Sequence, residues 1–517
     1  MPRYAAIDIG SNSIRMLAAE VDPKLPRKTL VAERQVTRIG SSVFSTGEVS
    51  RATIELVCGV LAKMAQTYKK LDVSAVRAVA TSAIRDASNQ AEFIERASDA
   101  IGAPVEIISG QEEARLIYLG VQDRWPHTRE RILVVDVGGG SAEIIVGEDG
   151  EMSEAFSRQL GAVRLSEVFL KDDPPTETQL RRMDDFIEQK LATVLDRIRR
   201  KQSDRVIATS ASAAAVVCAI NRIPRDRREE ADRHRATTSQ IRKLYANLVH
   251  MEVGARRKVV GIGPRRAEII VPGVAVYLHV LQGLGLPALY YSTAGLRDGI
   301  IADLAHRGIE REAARLSREE RKSVEDMARR FGVDLRHARR IASFARTLFI
   351  SLQPLHRLPL SYGRLLEAAA LLRDTGHIIS DTAHHKHSQY IVAHSDLPGF
   401  TDYERNLVAM LCRYHRKAMP MPKHVGYQSL TADERRAVLL LTPILRIADG
   451  LDRSRERRVE GIDCQIRNGG VVLSIYSEQD TALEQWAAEQ AGEVFRQVYD
   501  KPFLVVHASR TPNATLA

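Results

Sequence analysis

Two stretches decide the fold, AAIDIGSNS at residues 5–13 and VVDVGGGS at residues 134–141. Each runs from apolar residues through one Asp and one more apolar residue into Gly and Ser. Asp8 and Asp136 are 128 positions apart, and the peptide ATSA at residues 80–83 recurs at the same offset. Because two independent matches share one spacing, the sequence predicts two similar α/β domains in tandem, with related loops facing one cleft.

The local patterns agree with this duplication. Residues 4–10 and 131–137 are predicted to be short buried strands, each followed by a tight Gly/Ser turn and a returning strand. Residues 51–71 and 176–200 show the apolar spacing of amphipathic helices. This alternation of strands and helices predicts an α/β class whose ligands bind at strand ends.

The chain changes character after about residue 300. Residues 363–373, 403–417 and 432–448 carry strong apolar stripes at helical spacing, which predicts an almost wholly helical region. In the tail, two predicted strands flank a helix at residues 481–498. These patterns predict a small α+β unit at the C-terminal end.

Composition narrows the classes of function. The 517 residues are 44% hydrophobic, which excludes global disorder, and the net charge of +10 suits a polyanionic partner. The four cysteines are far apart and form no C-x-x-C pair, which argues against a zinc ribbon and suits a reducing cytosol. The longest uncharged stretch, residues 269–296, is interrupted by Pro and Gly and is interpreted as a buried helix and a strand. A cytoplasmic protein is therefore expected, with no membrane partner and no nucleic-acid partner.

The two Gly/Ser turns are candidate phosphate loops. Glycines let the backbone approach an anion, and successive N–H groups can form a concave anion site. Hydroxyl and amide side chains add donors, and two such turns facing each other would hold a phosphate from both sides. An ordinary pair of hairpin turns is the alternative, and the duplication favours the phosphate site.

Carboxylates flank these turns. Asp8, Asp136 and Glu143 lie where a strand ends or begins, and oxygen ligands of this kind suit Mg²⁺. Glu112 and Glu113 follow the predicted strand at residues 105–108 and would open a helix. Acidic residues are common at the start of a helix because they interact favourably with the helix dipole. A catalytic acid or base and a purely dipole-stabilising role are therefore equal alternatives.

The whole set of motifs resembles the exopolyphosphatase/guanosine pentaphosphate phosphohydrolase family. The resemblance rests on order and spacing over residues 1–300, and HHKHS, HSDLPGF and RYHRK further along resemble its longer members. The motifs that carry it are DIGSNS (8–13), TSAIR (81–85), SGQEEA (109–114), DVGGGSAE (136–143), RAEII (266–270) and GLRDG (295–299).

The resemblance implies roles for particular residues. Glu113 matches the family's general base, Arg85 a phosphate-binding arginine, and Glu143 an acid of the catalytic set. Asp136, Glu143 and Asp8 match metal-associated acids, which implies Mg²⁺ as the cofactor. The implied substrate-binding residues are Ser11, Asn12, Ser13, Arg15, Gly138, Gly139, Gly140, Ser141, Ser210 and Arg266.

The resemblance also implies an architecture. It comprises two tandem actin-like, ribonuclease H-like domains at residues 1–120 and 121–305, a helical HD-like domain at 306–455 and a small α+β domain at 456–517. A homodimer is a further implication.

Two departures from the family pattern stand out. The loop TSASA at residues 209–213 keeps hydroxyls but lacks the family's usual glycine. Where an HD phosphohydrolase has its metal-binding His-Asp doublet, this chain has Arg373-Asp374, and Arg is not a metal ligand. His377, His384, His385, His387 and Asp449 nearby are still metal-binding candidates, although an active second site is the minor alternative. The other alternative is that this helical region helps to bind a long polyanion or forms a dimer contact.

The expected activity is Mg-dependent release of terminal orthophosphate from inorganic polyphosphate. Hydrolysis of guanosine pentaphosphate to the tetraphosphate is a close alternative, because both reactions cleave a terminal phosphoanhydride. A kinase or ATPase of the same superfamily and a non-catalytic polyphosphate or nucleotide sensor are further alternatives. Glu113 with its Ser109-Gly110 lead favours the hydrolase over the kinase or ATPase, and intact Glu113, Asp136 and Glu143 argue against the sensor.

Overall fold

The structure, a computed structural model, describes residues 1–22, 25–127, 129–199, 203–307, 314–428, 430–467 and 469–508. The chain divides into two compact units, Met1–His306 and Arg307–Ala517. Within the described residues, the helices are too short or too polar to cross a membrane.

Two sheets build the first unit. The first has the order β3-β2-β1-β4-β5, and the second has the order β10-β11-β9-β6-β7-β8. The strands of the first are β1 Arg3–Ile9, β2 Ser13–Asp22, β3 Leu25–Val36, β4 Ala75–Ala80 and β5 Val105–Ile107. Those of the second are β6 Ile132–Val137, β7 Ala142–Glu148, β8 Glu151–Arg158, β9 Arg205–Thr209, β10 Arg235–Thr237 and β11 Ala288–Tyr291.

The two sheets repeat one arrangement, as the 128-residue offset predicts. In each, a buried strand forms an antiparallel hairpin with the next strand and a parallel pair with a later one, so β1 contacts β2 and β4 while β6 contacts β7 and β9. Asp8 lies opposite Arg15 in the first hairpin, and Asp136 lies opposite Glu143 in the second. The duplication therefore places equivalent turns at equivalent strand ends.

Helices pack on both sheets and bury their apolar stripes in separate cores. The predicted helices at 51–71 and 176–200 are confirmed within one residue at each end. The helices of this unit are α1 Ile39–Thr46, α2 Arg51–Lys70, α3 Ser82–Asp86, α4 Gln90–Ile101, α5 Gly110–Arg124, α6 Ala162–Phe169, α7 Glu177–Arg199, α8 Ser210–Asn221, α9 Thr238–Val249, α10 Val253–Arg256, α11 Ile270–Gly283 and α12 Leu296–Arg307.

The second unit is mainly helical, and its helices share one apolar core with a small sheet. The sheet has the order β12-β13-β14. The predicted helices and tail strands are present, whereas β12 was not predicted. The elements are α13 Arg318–Arg330, α14 Leu335–Ser351, α15 Gln353–His356, α16 Ser361–Leu372, α17 His384–Ala393, α18 Asp402–Tyr414, α19 Val425–Gln428, α20 Ala432–Gly450, β12 Gly461–Arg467, β13 Gly470–Tyr476, α21 Ala482–Tyr499 and β14 Phe503–Ala508.

The mixed α/β class is confirmed by these elements. The actin-like and HD-like assignments and the boundaries at 120, 305 and 455 stay predictions.

Candidate active site

A polar cavity of about 450 Å³ opens where the two Gly/Ser turns of the first unit meet. Most of the residues predicted for the site line it together. Arg85 and Glu143 do not line the cavity, but both lie behind Glu113, as described below. The predicted residues in the lining are Asp8, Ser11, Asn12, Ser13, Arg15, Glu113, Asp136, Gly138, Gly139, Gly140, Ser141, Ser210 and Arg266.

The two turns face each other at van der Waals distance, as the sequence predicted. A Cβ added at Gly139 would lie 2.9 Å from the Ser11 Cβ, and one added at Gly140 would lie 2.8 Å from the Ser11 Oγ and 2.5 Å from the Ser82 Oγ. These glycines therefore permit the close approach of the two loops.

Ser11 has an orphaned hydroxyl in this cradle. Its side chain is 3% exposed, and its Oγ has no hydrogen-bond partner among the described residues. A buried hydroxyl without a partner costs free energy, and a phosphate oxygen would satisfy it.

Arg164 ties the loops together, although the sequence analysis did not single it out. Its guanidinium donates to the Gly140 carbonyl at 2.7 Å and to the Ser82 Oγ at 3.1 Å, and it forms an ion pair with Asp86. It also lies 4.0 Å from the centroid of the Phe44 ring. Arg164 is a positioning residue that fixes the second turn against the α3 loop.

Glu113 lies in the first turn of α5, where Ser109 caps the helix by accepting from the Glu112 N–H at 3.2 Å. Burial raises the pKa of Glu113 to about 7, against the attraction of Arg85, and the negative charges of Asp8 and Asp136 raise it further. Arg85 Nη2 donates to Glu113 Oε2 at 3.5 Å, and Arg85 Nη1 donates to the Ile108 carbonyl. A carboxyl with a pKa near neutrality has the property that a general base needs.

Three further carboxyls surround Glu113. Burial raises the pKa of Asp136 to about 7, and that of Asp8 in the same direction, against the pull of Arg15. Burial and the neighbouring Glu113 raise the pKa of Glu143 well above its ordinary value, although Ser157 donates to Glu143 at 2.8 Å. Like charges gathered in a buried site create a demand for a cation.

Glu112, the acid next to Glu113, takes part in a separate ion network. It accepts from Arg115 at 2.8 Å and from Arg77 at 3.1 Å, and both arginines also bond Asp303. Although burial alone would raise it, the Arg115 and Arg77 guanidiniums hold the pKa of Glu112 below its ordinary value. Glu112 is a structural acid of this buried ion network.

The opposite wall is cationic. Arg15 lies directly across the strand pair from Arg34, and both line the cavity. Burial and the charges of Arg15 and Arg266 lower the pKa of Arg34 to about 9, and its buried Nε has no partner among the described residues. Burial and Arg15 also lower the pKa of Arg266 to about 10. Like charges placed opposite each other destabilise a sheet, so this wall is arranged for an anionic ligand.

Sequence reasoning missed four arginines of the lining, Arg27, Arg34, Arg124 and Arg228. Arg34 lies on the edge strand β3, and Arg228 lies in the short 3₁₀ turn Arg225–Ala231; both line the cavity. Arg297 lines it as well, and the motif at residues 295–299 had pointed to it. The one signal for Arg228 is the charged run at residues 225–230, which is equally typical of a solvated turn.

The loop that lacks the family's glycine has a glycine-like backbone. Ser210 has φ 86°, in the left-handed region that favours glycine. Its hydroxyl donates to the Val137 carbonyl at 2.9 Å and accepts from the Ser212 N–H at 3.2 Å. These two bonds hold a serine in a conformation that costs a non-glycine residue about 1–2 kcal/mol.

The donor set suits a hard divalent cation. Mg²⁺ takes oxygen ligands and usually keeps several waters, with one or two carboxylates and substrate phosphates completing its shell. Asp8 and Asp136 supply such oxygens in the lining and Glu143 lies close to Asp136, and a divalent charge would stabilise the ionised carboxylates that burial disfavours. The residues present therefore fit Mg²⁺.

Comparison with known proteins identifies the family of the chain. The model of the Ppx/GppA phosphatase family matches residues 18–308, and the model of Ppx/GppA phosphatase domain III matches residues 320–489. The solved Ppx/GppA family member of Aquifex aeolicus is 29% identical, with a TM-score of 0.52 over 60% of this chain and 99% of its own.

Two other solved structures are similar over the same share. An exopolyphosphatase from Cytophaga hutchinsonii is 25% identical, with a TM-score of 0.55 over 59% of this chain and 98% of its own. An exopolyphosphatase-like protein is 28% identical, with a TM-score of 0.56 over 59% and 98%.

The buried carboxylates, the anion cradle and these likenesses together define a phosphatase, a hydrolase that acts on phosphoanhydride bonds. Since the first family model alone matches more than half of the chain, the protein belongs to the Ppx/GppA phosphatase family.

Proposed function

We propose that this protein is an exopolyphosphatase, which releases terminal orthophosphate from inorganic polyphosphate by Mg-dependent hydrolysis. The observation that carries the proposal is the pairing of Arg15 with Arg34 beside the buried carboxylates. Two guanidiniums face each other across a strand pair, and one has a buried nitrogen without a partner. A chain of phosphates supplies the repeated negative charge that such a wall needs.

The terminal phosphoryl group would lie in the cradle between the two turns. The backbone N–H groups of the turns and the hydroxyl of Ser11 would bind its oxygens. Arg15 and Arg266 would offset its charge, while Arg164 keeps the turns in place. Phosphoryl transfer depends on this kind of positioning and charge neutralisation more than on covalent chemistry by the protein.

Glu113 would orient and deprotonate the attacking water. Its pKa of about 7 leaves a substantial unprotonated fraction at neutral pH and still gives it a useful basicity. Arg85 holds one Glu113 oxygen from behind at 3.5 Å, which leaves the other oxygen for the water. Arg85 is in this view a positioning residue for the base.

Asp8, Asp136 and Glu143 would hold Mg²⁺. When bound, the ion supplies charge stabilisation to the transferred phosphoryl group. Among the described residues, the oxygens of these three acids lie farther apart than the ligand atoms of the histidine group in the second unit. Water and phosphate oxygens would therefore complete the coordination shell of the Mg²⁺.

The lining favours polyphosphate over a nucleotide. The described lining contains seven arginines, Arg15, Arg27, Arg34, Arg124, Arg228, Arg266 and Arg297, and its one aromatic residue, Tyr291, is 5% exposed. A guanine base would need a stacking partner or polar groups aimed at its edge, whereas a phosphate chain needs cations alone.

The test is phosphate release with Mg²⁺ from long-chain polyphosphate and from guanosine pentaphosphate, for wild type, Glu113→Gln and Glu92→Gln. Glu92 is the matched control, an exposed acid in the first turn of α4. We expect release from polyphosphate to fall by about 10²–10⁴-fold in Glu113→Gln alone and to stop on chelation of Mg²⁺.

Two results would contradict the proposal. Phosphate release from guanosine pentaphosphate but not from polyphosphate would show that the nucleotide is the substrate of this site. No release from either would leave a binding protein. The homodimer stays a separate prediction, which a monomer mass in light scattering at micromolar concentration would contradict.

A further inference from the structure

We propose that the mainly helical unit holds a transition-metal ion of the zinc type, bound by Asp374, His377, His384 and His415. These residues line a second cavity of about 450 Å³. Within the described residues, Asp374, His377 and His384 form the group of potential ligands that converges most closely, with ligand atoms within 4.8 Å of one another. His415 adds a fourth nitrogen on the side of His384.

Each imidazole is anchored through Nδ1. His377 Nδ1 lies 2.6 Å from the Asp381 carboxylate, His384 Nδ1 lies 3.3 Å from the Asp381 carbonyl, and His415 Nδ1 lies 2.7 Å from the Cys412 carbonyl. The oxygen acceptors of His377 and His415 favour the Nδ1–H tautomer, which leaves their Nε2 lone pairs available, while His384 Nδ1 lies between the Asp381 carbonyl and the Arg416 guanidinium. An Nδ1–H bond to a protein oxygen is the usual way in which a metal-binding histidine is oriented.

His384 and His415 bring their Nε2 atoms together, and the His377 ring stacks on His384 with centroids 3.8 Å apart. His384 Nε2 lies 3.2 Å from His415 Nε2. Two nitrogens on a tetrahedral zinc, each at 2.0–2.1 Å from the metal, are about 3.3 Å apart. Asp374 Oδ1 lies 3.8 Å from His377 Nε2 and 3.9 Å from His384 Nε2, so the carboxylate completes the shell after a shift of a few tenths of an ångström.

The two oxygens of Asp374 have different surroundings. Oδ2 faces Arg373 at 3.2 Å and Arg455 at 3.9 Å, while Oδ1 faces the imidazoles. Arg373 is itself held by Asp449 at 2.7 Å and by His337 at 2.7 Å. Arg373 stands where the His-Asp doublet has its His. It binds Asp449 and His337, and its contact with Oδ2 of Asp374 leaves Oδ1 directed toward the imidazoles.

A proton holds the same place when no metal is bound. Arg416 lies 3.3 Å from His384 Nδ1, and in the alternative tautomer it donates there while His384 Nε2–H donates to His415. The ion would therefore displace the proton that His384 Nε2 and His415 Nε2 share.

The donor set selects the kind of metal. Three imidazoles and one carboxylate suit Zn²⁺ or Co²⁺, whereas Mg²⁺ prefers oxygen ligands alone. This site is thus chemically distinct from the carboxylate site of the first unit, and each would take its own ion.

The experiment uses the untagged full-length chain, freed of metal by a chelator and titrated with Co²⁺ and then Zn²⁺. We expect one equivalent of Co²⁺ to give the intense visible absorption of tetrahedral coordination, and Zn²⁺ to displace it. His384→Ala should abolish the signal. Asp381→Ala, at a side chain that is 93% exposed, should weaken binding by about 10–100-fold through loss of the His377 anchor.

His394→Ala is the matched control, since His394 is an exposed histidine that stacks on Tyr390 away from the cluster. It should bind Co²⁺ as wild type does. The proposal is overturned if wild type shows no stoichiometric Co²⁺ spectrum, or if Asp381→Ala binds as tightly as His394→Ala. The Asp381 variant decides the matter even if His384→Ala fails to fold.

Discussion

The two Gly/Ser hairpins of the first unit share a backbone plan and differ in charge. In the first, the residue opposite the strand-end aspartate is Arg15, and in the second it is Glu143. Arg15 in turn lies opposite Arg34, whereas Glu143 lies opposite Ser157, which donates to it. The repeat thus supplies two equivalent loops, and the equivalent return-strand position carries a cation in the first hairpin and an acid in the second.

The largest effect is expected when this asymmetry is removed. Arg15→Glu gives the first hairpin the charge of the second and adds a carboxylate beside Asp8 and Asp136. Because it takes a cation from a polyanion site, we expect kcat/KM for polyphosphate to fall by at least about 100-fold. Steady-state phosphate release measures this, with Arg51→Glu as control, since the Arg51 side chain is 87% exposed. Equal activity in the two variants would contradict the prediction.

The contact between the hairpins is the next target. Gly140→Ala places a Cβ 2.5 Å from the Ser82 Oγ and 2.8 Å from the Ser11 Oγ, so the loops must move apart. We expect a loss of about 1–3 kcal/mol in the free energy of unfolding and a raised KM. Gly59→Ala is the control, since nothing lies within 4 Å of its Cβ on α2, and it should stabilise by about 0.5–1 kcal/mol. Denaturant unfolding compares them, and equal stabilities would refute the close contact.

The acidic side predicts a pH dependence of stability. The pKa of Asp136 is raised from 3.8 to about 7 in the folded protein, so its contribution to stability is present below pH 4 and is lost as the pH rises through 7. Asp136→Asn removes this loss. In Mg-free buffer the variant should melt several degrees above wild type at pH 8, and the gap should shrink toward pH 4. Asp99→Asn, at an exposed acid, should show no such trend. A gap independent of pH would contradict the prediction.

The sequence predicted those parts of the site that lie in the repeat. The 128-residue offset located both turns and both strand-end acids, because the chain spacing of a strand, a turn and a return strand is local. It also predicted that the loops face one cleft. The local pattern alone did not separate Glu112 from Glu113, and Glu113 was assigned only through the family resemblance, because the packing of α5 determines which of them meets Arg77 and which enters the cavity.

The missed residues share a physical cause. β3 was not predicted, because Arg27, Lys28, Glu33 and Arg34 interrupt its apolar pattern, as is usual for an edge strand with one solvated face. Arg34 acquires its role only through pairing with Arg15 on the neighbouring strand. Arg164 bonds residues 24 and 82 positions away, and such contacts leave no local signal.

The smallest predicted effect concerns the two ATSA loops. Ser210 sits at φ 86° in the second loop, whereas Ser82 opens α3 without a positive φ in the first. Ser210→Gly should relieve about 1–2 kcal/mol of backbone strain and lose hydrogen bonds worth about 1 kcal/mol, so its unfolding free energy should stay within about 1 kcal/mol of wild type. Ser82→Gly has no strain to relieve and also loses its bond to Arg164, so it should destabilise by at least about 1 kcal/mol. Denaturant unfolding of the pair decides between them, and a greater loss in Ser210→Gly would show that its hydroxyl bonds outweigh the strain.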